Sequence, residues 1–160
     1  MILSADALQK IDREVAKYPA DQRQSAVMSA LIIAQDEKGW LSVETMDAVA
    51  GVLGMAPVAV YEVASFYSMY NLEQKGRFKL TICTSLPCGL QGSLEAADQL
   101  RAKLGIDFNE TTADGRFTLK EGECMGACAM APVILVNNKK MHDYMSKEKI
   151  EALVDELRKA

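Results

Sequence analysis

Histidine, clustered positive charge and long apolar runs are all scarce in this sequence. One histidine stands among 160 residues, no run of Lys or Arg exceeds two, and the net charge is −4. Nucleic-acid backbones are held by clustered Lys and Arg, so a mildly acidic chain without such clusters argues against that class of partner. With a single His, no Ser, His and acid constellation for hydrolysis is visible. That residue, His142, falls near the "NNKK" turn and is expected to be a solvated surface residue, too far in pattern from the cysteines for histidine ligation. The longest apolar stretch is "AVMSALIIA", far short of the roughly 20 residues a membrane helix needs, so no direct membrane insertion is expected. Neither G-x-G-x-x-G nor a Walker motif occurs, which leaves the chain without a nucleotide site of its own. The opening residues "MILSADALQKIDREVAKYPAD" lack a basic leader and a cleavage site, so an intracellular, cytoplasmic setting is expected.

What is present suits one or two compact domains: 49% of residues are apolar and 25% charged. The first part reads as helices. Leu8, Ile11, Val15 and Tyr18 recur at helical spacing behind a Ser4 N-cap, and Pro19 stops the pattern. Gln22 to Asp36 is apolar on most faces, as a helix inside a bundle would be, and Gly39 ends it. Ser42 caps a third helix, with Val43, Met46, Val49, Ala50 and Leu53 on one stripe and Gly54 at its end. Pro57 suits the first turn of a fourth helix running to about Tyr67. In "SFYSMY", Phe66, Tyr67 and Tyr70 are expected to form a packing seam, with a docking surface as the sharper alternative.

The pattern changes at Gly76. "FKLTIC" alternates with period two and reads as a strand ending at Cys83. "SLEAADQLRAKLG" reads as a helix with Ser93 as N-cap and Gly105 as stop. "RFTLKE" is a second strand, "VILV" a buried third and "KMHDY" a weaker fourth. Ser146 then caps a last helix striped by Ile150, Leu153, Val154 and Leu157. The fold class is therefore α+β: a small helical bundle over residues 1–75, then an α/β domain over residues 76–160. The second domain has a β-α-β-β-β-α order that matches a minimal thioredoxin-like core. A β-α-β unit makes its two strands parallel, so loops leaving both strands emerge on one edge of the sheet.

That edge is where the chain keeps its thiols. Its four cysteines form two tight pairs, "CTSLPC" and "CMGAC", so Cys83 and Cys88 follow the first strand while Cys124 and Cys128 follow the second. In a reducing compartment such grouping favours metal binding or redox chemistry over disulfides. Zinc is held by four thiolates in structural sites, but common ribbons use C-x2-C knuckles and neither pair has that gap. A 2Fe-2S cluster also takes four cysteines and tolerates a C-x4-C loop, so the spacing leans towards iron without settling it. Gly89, Gly92, Gly126 and Ala127 would let backbone N–H groups approach sulfur, the helix opening near Ser93 would add its positive end, and Pro87 and Pro132 would stiffen the loops. Met125, between two of the cysteines, is expected to shield whatever they hold from water.

The pattern C-x4-C, 35 intervening residues, then C-x3-C, with "DGRFTL" before the second pair, "APVILVN" after it and "ASFYSMY" upstream, resembles the 24-kDa subunit family of respiratory complex I, the NADH:quinone oxidoreductase. The resemblance covers essentially the whole chain. It implies a thioredoxin-like ferredoxin domain with one 2Fe-2S cluster, whose four ligands match Cys83, Cys88, Cys124 and Cys128. It also implies a partner, the flavoprotein subunit that carries FMN, a 4Fe-4S cluster and the NADH site, within the peripheral arm on the cytoplasmic side of a bacterial inner membrane. The cluster would exchange an electron with that FMN. The same subunit type occurs in NAD-reducing hydrogenases and NAD-dependent formate dehydrogenases, and a zinc-stabilised module without redox function is the remaining alternative.

Overall fold

Serine sets the start of three helices in the computed structural model, which describes residues 2–160. Ser4, Ser42 and Ser146 each have extended backbone, and each turns its hydroxyl onto an N–H in the first turn, of Ala7, Thr45 and Lys149 respectively. Helices α1 (Ala5–Val15), α2 (Val27–Lys38), α3 (Val43–Leu53) and α4 (Pro57–Phe66) follow in the first part of the chain. Gly39 and Gly54 close α2 and α3 in the left-handed conformation, where a side chain would be strained. A short 3-10 turn, Arg23–Ala26, precedes α2, so the helix begins later than its composition suggests.

The chain divides into two compact units, Met1–Gln74 and Lys75–Ala160. The core of the first is aliphatic. Leu3, Ala7, Ile11 and Val15 pack with Ala30, Leu31, Val49, Leu53 and Val60. The stripe on α1 is carried by Ala7, Ile11 and Val15, while Leu8 is only half-buried and Tyr18 lies beyond the helix and is exposed. Val43, placed in the core by its periodicity, is exposed at the first position of α3. The aromatic segment is also split. Tyr70 is buried in this core and donates its hydroxyl to the Met28 carbonyl at 3.0 Å, while Phe66 is exposed. Burial pushes the Tyr70 phenol up to about 12. Among the described residues no single helix is long and apolar enough to cross a membrane.

The second unit is a mixed sheet of four strands in the order β2-β1-β3-β4: β1 (Phe78–Cys83), β2 (Phe117–Gly122), β3 (Ile134–Val136) and β4 (Lys140–His142). β1 and β2 are parallel, joined by a crossover containing α5 (Leu86–Gly89) and α6 (Ser93–Leu104). β3 runs antiparallel to β1, and β4 to β3. Alternation sends Leu80 and Ile82 into a core shared with Leu100 of α6 and Ile150 and Val154 of α7 (Lys147–Lys159). Lys79, Thr81 and Cys83 therefore belong to the opposite face of β1. His142 is half-buried rather than fully solvated, and burial, with Lys140 adding to it, holds its imidazole below the usual range.

The expected cap at Ser93 is not formed. Gly92 takes the N-cap position with φ +88°, and Ser93 becomes the first helical residue. Its hydroxyl is buried with no hydrogen-bond partner among the described residues. Gly92 wins because the chain enters α6 in the left-handed conformation, which is open to glycine without a steric cost.

Candidate metal centre

Parallel pairing aligns Cys83 with Gly122 at the carboxyl end of β1 and β2. Cys124 stands two residues further on, so both cysteine loops leave the sheet side by side. The first loop winds at once into α5, which has Pro87 in its first turn and buries Cys88 on its inner side. The second passes through Gly126, at φ +70°, into a 3-10 turn that begins at Cys128. Hydrogen bonds fasten the loops together. Gln91 Nε2 donates to the Cys128 carbonyl at 3.2 Å, and Thr84 Oγ1 donates to Glu121 Oε1 at 2.6 Å. Cys83 N–H reaches the Val133 carbonyl at 3.4 Å. Neither Gln91 nor Thr84 carries a sequence signal, because each is identified only by what lies across from it in space.

Gly122 explains how closely the second loop can approach. A Cβ built there would lie 2.7 Å from Thr81 Cγ2, 2.9 Å from Met125 Cε and 3.2 Å from the Ile82 carbonyl oxygen. The missing side chain is filled by the loop itself, and Met125 folds back over the strand end. Met125 is half-buried, in a cluster with Cys83, Cys88, Ala127, Cys128, Ala131 and Val133.

All four cysteines are free thiols. Cys83 and Cys88 are buried, Cys128 is half-buried and Cys124 is exposed. Burial pushes the Cys83 thiol up, but donors from the Ser85 N–H and hydroxyl, the Cys88 thiol and the Met125 N–H outweigh it and lower its pKa. Burial drives Cys88 the other way, to about 12, aided by its bond to Cys83 and by Cys128 nearby. Three of the four sulfurs are thus in mutual contact or close to it. The fourth, Cys124, accepts the Gly126 N–H at 3.5 Å. Among the described residues, no three side chains of metal-ligand type gather in the arrangement of one bound ion.

The thioredoxin-like 2Fe-2S ferredoxin family matches residues 11–158. This chain belongs to that family. It is 43% identical over 143 residues to the E subunit of NADH-quinone oxidoreductase of Rickettsia felis, across 89% of this chain and 85% of that one. It is 44% identical over 147 residues to the mitochondrial NADH dehydrogenase (ubiquinone) flavoprotein 2 of Dictyostelium discoideum, across 91% of this chain and 60% of the length of that protein. Among solved structures, a chain of an NAD+-reducing NiFe-hydrogenase in the H2-reduced state superposes with a TM-score of 0.70 at 19% identity, over 81% of this chain and 22% of that one, a likeness of fold.

The donor set suits the cofactor of the ferredoxin family. Four thiols are offered by two loops, two from each, and two irons each take two thiolates. Small residues beside the sulfurs leave backbone N–H groups free to point at them, as Gly126 already does towards Cys124. Iron bound by Cys88 would displace the proton that burial otherwise keeps on that thiol.

Proposed function

We propose that this chain is an electron-transfer subunit of NADH:quinone oxidoreductase, carrying one 2Fe-2S cluster on Cys83, Cys88, Cys124 and Cys128. The observation that carries this reading is the parallel register Cys83 to Gly122, which brings the two cysteine loops of a 2Fe-2S ferredoxin family member to one end of the sheet. A bound cluster supplies a one-electron couple. The protein's part is to bind it through four thiolates, to keep water away with Met125 and the cluster of Ala127, Ala131 and Val133, and to direct N–H groups at sulfur.

The chain has no nucleotide motif, so NADH and FMN belong to a partner flavoprotein subunit, which would also carry a 4Fe-4S cluster, within a peripheral arm on the cytoplasmic side of the inner membrane. Relatives named as a subunit of NADH-quinone oxidoreductase support this host over a hydrogenase or formate dehydrogenase. Iron and sulfide analysis with the visible spectrum tests the site. Two irons and two acid-labile sulfides per chain are expected, and a colourless protein with one zinc would refute the reading. Cys124→Ala is expected to lose the reduced-state EPR signal, because one iron loses a thiolate; an unchanged signal would remove Cys124 from the ligand set. Co-expression with the flavoprotein partner is expected to give one species on a sizing column.

A further inference from the structure

Two side-chain hydrogen bonds cross between the cysteine loops, and they stand at opposite ends of the cysteine set. At the strand end, Thr84 Oγ1 donates to Glu121 Oε1 at 2.6 Å. Thr84 follows Cys83 directly, and Glu121 stands three residues before Cys124. At the outer end, Gln91 Nε2 donates to the Cys128 carbonyl at 3.2 Å. Gln91 stands three residues after Cys88, so this bond ties the far side of the first loop to a cysteine of the second. The same carbonyl also accepts the Ala131 N–H at 3.3 Å, so Gln91 grips a turn that is already closed. The sheet fixes only the roots of the loops, because the parallel register ends at Cys83 and Gly122. Beyond it, α5 is a helix of four residues, and the second loop enters its 3-10 turn only at Cys128. So short a helix has little stability of its own, and the spacing of the loops depends on bonds across them. Thr84 is half-buried, and Gln91 and Glu121 are exposed. Exposed polar pairs add little to global stability, so these bonds matter for the loops they join.

We propose that Thr84, Glu121 and Gln91 are positioning residues, two clamps that hold the cysteine loops at the separation four thiolates need to close on one cluster. This rests on the reading of those loops as a 2Fe-2S site. None of the three is a ligand. The Thr84–Glu121 clamp acts through Cys83, its neighbour in the chain, and Gln91 acts through the backbone of Cys128. Each restricts motion that an untied loop would have to give up on holding the cluster. Groups that orient metal ligands from behind carry much of a site's affinity in this way.

The test follows release of iron to a chelator from the full chain, folded and loaded with its cluster. Thr84→Val and Gln91→Met keep the bulk of the side chain and remove the donor. Each is expected to speed release about threefold to tenfold, the effect of one lost hydrogen bond behind a metal ligand. Thr84→Ser keeps the hydroxyl and Glu121→Gln keeps an acceptor oxygen, so neither should release iron faster than the parent. In a Glu121→Ala background Thr84→Val should change nothing, because its bond is already gone. The cluster-free variants should melt with the parent. Parent rates in Thr84→Val or in Gln91→Met would overturn the proposal. So would Thr84→Ser or Glu121→Gln releasing iron as fast as Thr84→Val, or Thr84→Val acting in full without Glu121. A lower melting temperature in the cluster-free Thr84→Val or Gln91→Met protein would make the bonds part of the fold rather than of the site, and would also overturn it. A Thr84→Val protein that takes up no iron would uphold the proposal if Thr84→Ser is loaded, and overturn it if Thr84→Ser is empty too. A parent protein that takes up zinc and no iron would remove the 2Fe-2S reading itself, and the inference with it, whereas a parent that holds iron beside unaltered variants would remove the clamps alone.

Discussion

The two units bury different things. Five polar or charged side chains are buried among the described residues, and only Thr45 belongs to the helical unit. There it shares a hydrogen bond with Ser42 Oγ at 3.0 Å, so nothing polar in that core is left over. The sheet unit buries Lys79, Thr81, Ser93 and Thr118 as well as two thiols. Thr118 is paired, taking the Gly76 N–H at 2.7 Å, but Thr81 and Ser93 have no partners. One unit leaves no buried polar side chain unpaired among the described residues, although α2 and α4 start without a side-chain cap. The other departs from that rule around its cysteine loops, where departures mark a functional site rather than poor folding.

The largest expected effect breaks the comparison from the helical side. Leu31 is fully buried in the centre of the first core. Leu31→Ala should cost about 2–5 kcal/mol, the transfer term plus the cavity, as read by urea unfolding. The folded fraction should still take up two irons, because no residue of the helical unit is among the proposed ligands. Loss of iron from the folded protein would show that the division of labour between the units is wrong.

Much of the fold was legible in the sequence, and the reasons are physical. Ser4, Ser42 and Ser146 announced their helices because a capping hydroxyl acts within three residues. The alternation of "FKLTIC" found β1, and the crossover rule then made β1 and β2 parallel and put both cysteine loops at one sheet end. Short-range patterns could not find α5, which at four residues shows no period, or the exposure of Val43, which lies on the right stripe but at the open end of its helix. Thr81 was invisible for another reason. Its methyl packs beside Gly122 and the Met125 methyl, some 40 residues away in sequence, and no local window holds all three. The cofactor itself was left open by spacing, which leaned to iron, and family likeness made the choice.

A medium effect should appear at Lys79, which is 3% exposed on the same face of β1 as Thr81. Burial lowers its pKa to about 8 from 10.5, with Lys120 and Lys75 adding repulsion. Below pH 8 the lysine is charged in both folded and unfolded chains, so its contribution does not change with pH there. Between pH 8 and 10.5 the unfolded chain holds a proton that the folded one releases, so stability from this group rises with pH. Lys79→Met should therefore stabilise the protein at pH 7 by about 1–3 kcal/mol, and the gain should fade towards pH 10.5. Urea unfolding at several pH values measures it. A gain that grows with pH would have the wrong sign and would refute the buried-charge account.

The smallest effect is the sharpest form of the comparison, because it sets one serine against another. Ser42 and Ser93 both stand at the start of a helix, one in each unit. Ser42 Oγ accepts the Thr45 N–H at 3.2 Å and also pairs with the Thr45 hydroxyl. Removing it deprives α3 of its cap and leaves a buried threonine hydroxyl unpaired. Ser42→Ala should cost about 1–2 kcal/mol, as a lost cap usually does. Ser93 caps nothing, since Gly92 holds the cap position, and its own hydroxyl is unpaired. Ser93→Ala should cost less than about 0.5 kcal/mol in the cluster-free protein, because an alanine there has no desolvated hydroxyl to carry. The same substitution on the same residue type, read by thermal unfolding, then gives a loss in the unit built for packing and almost none in the unit built around thiols. Equal losses would mean that the Ser93 hydroxyl has a partner after all, and that the two units bury polar groups by one rule.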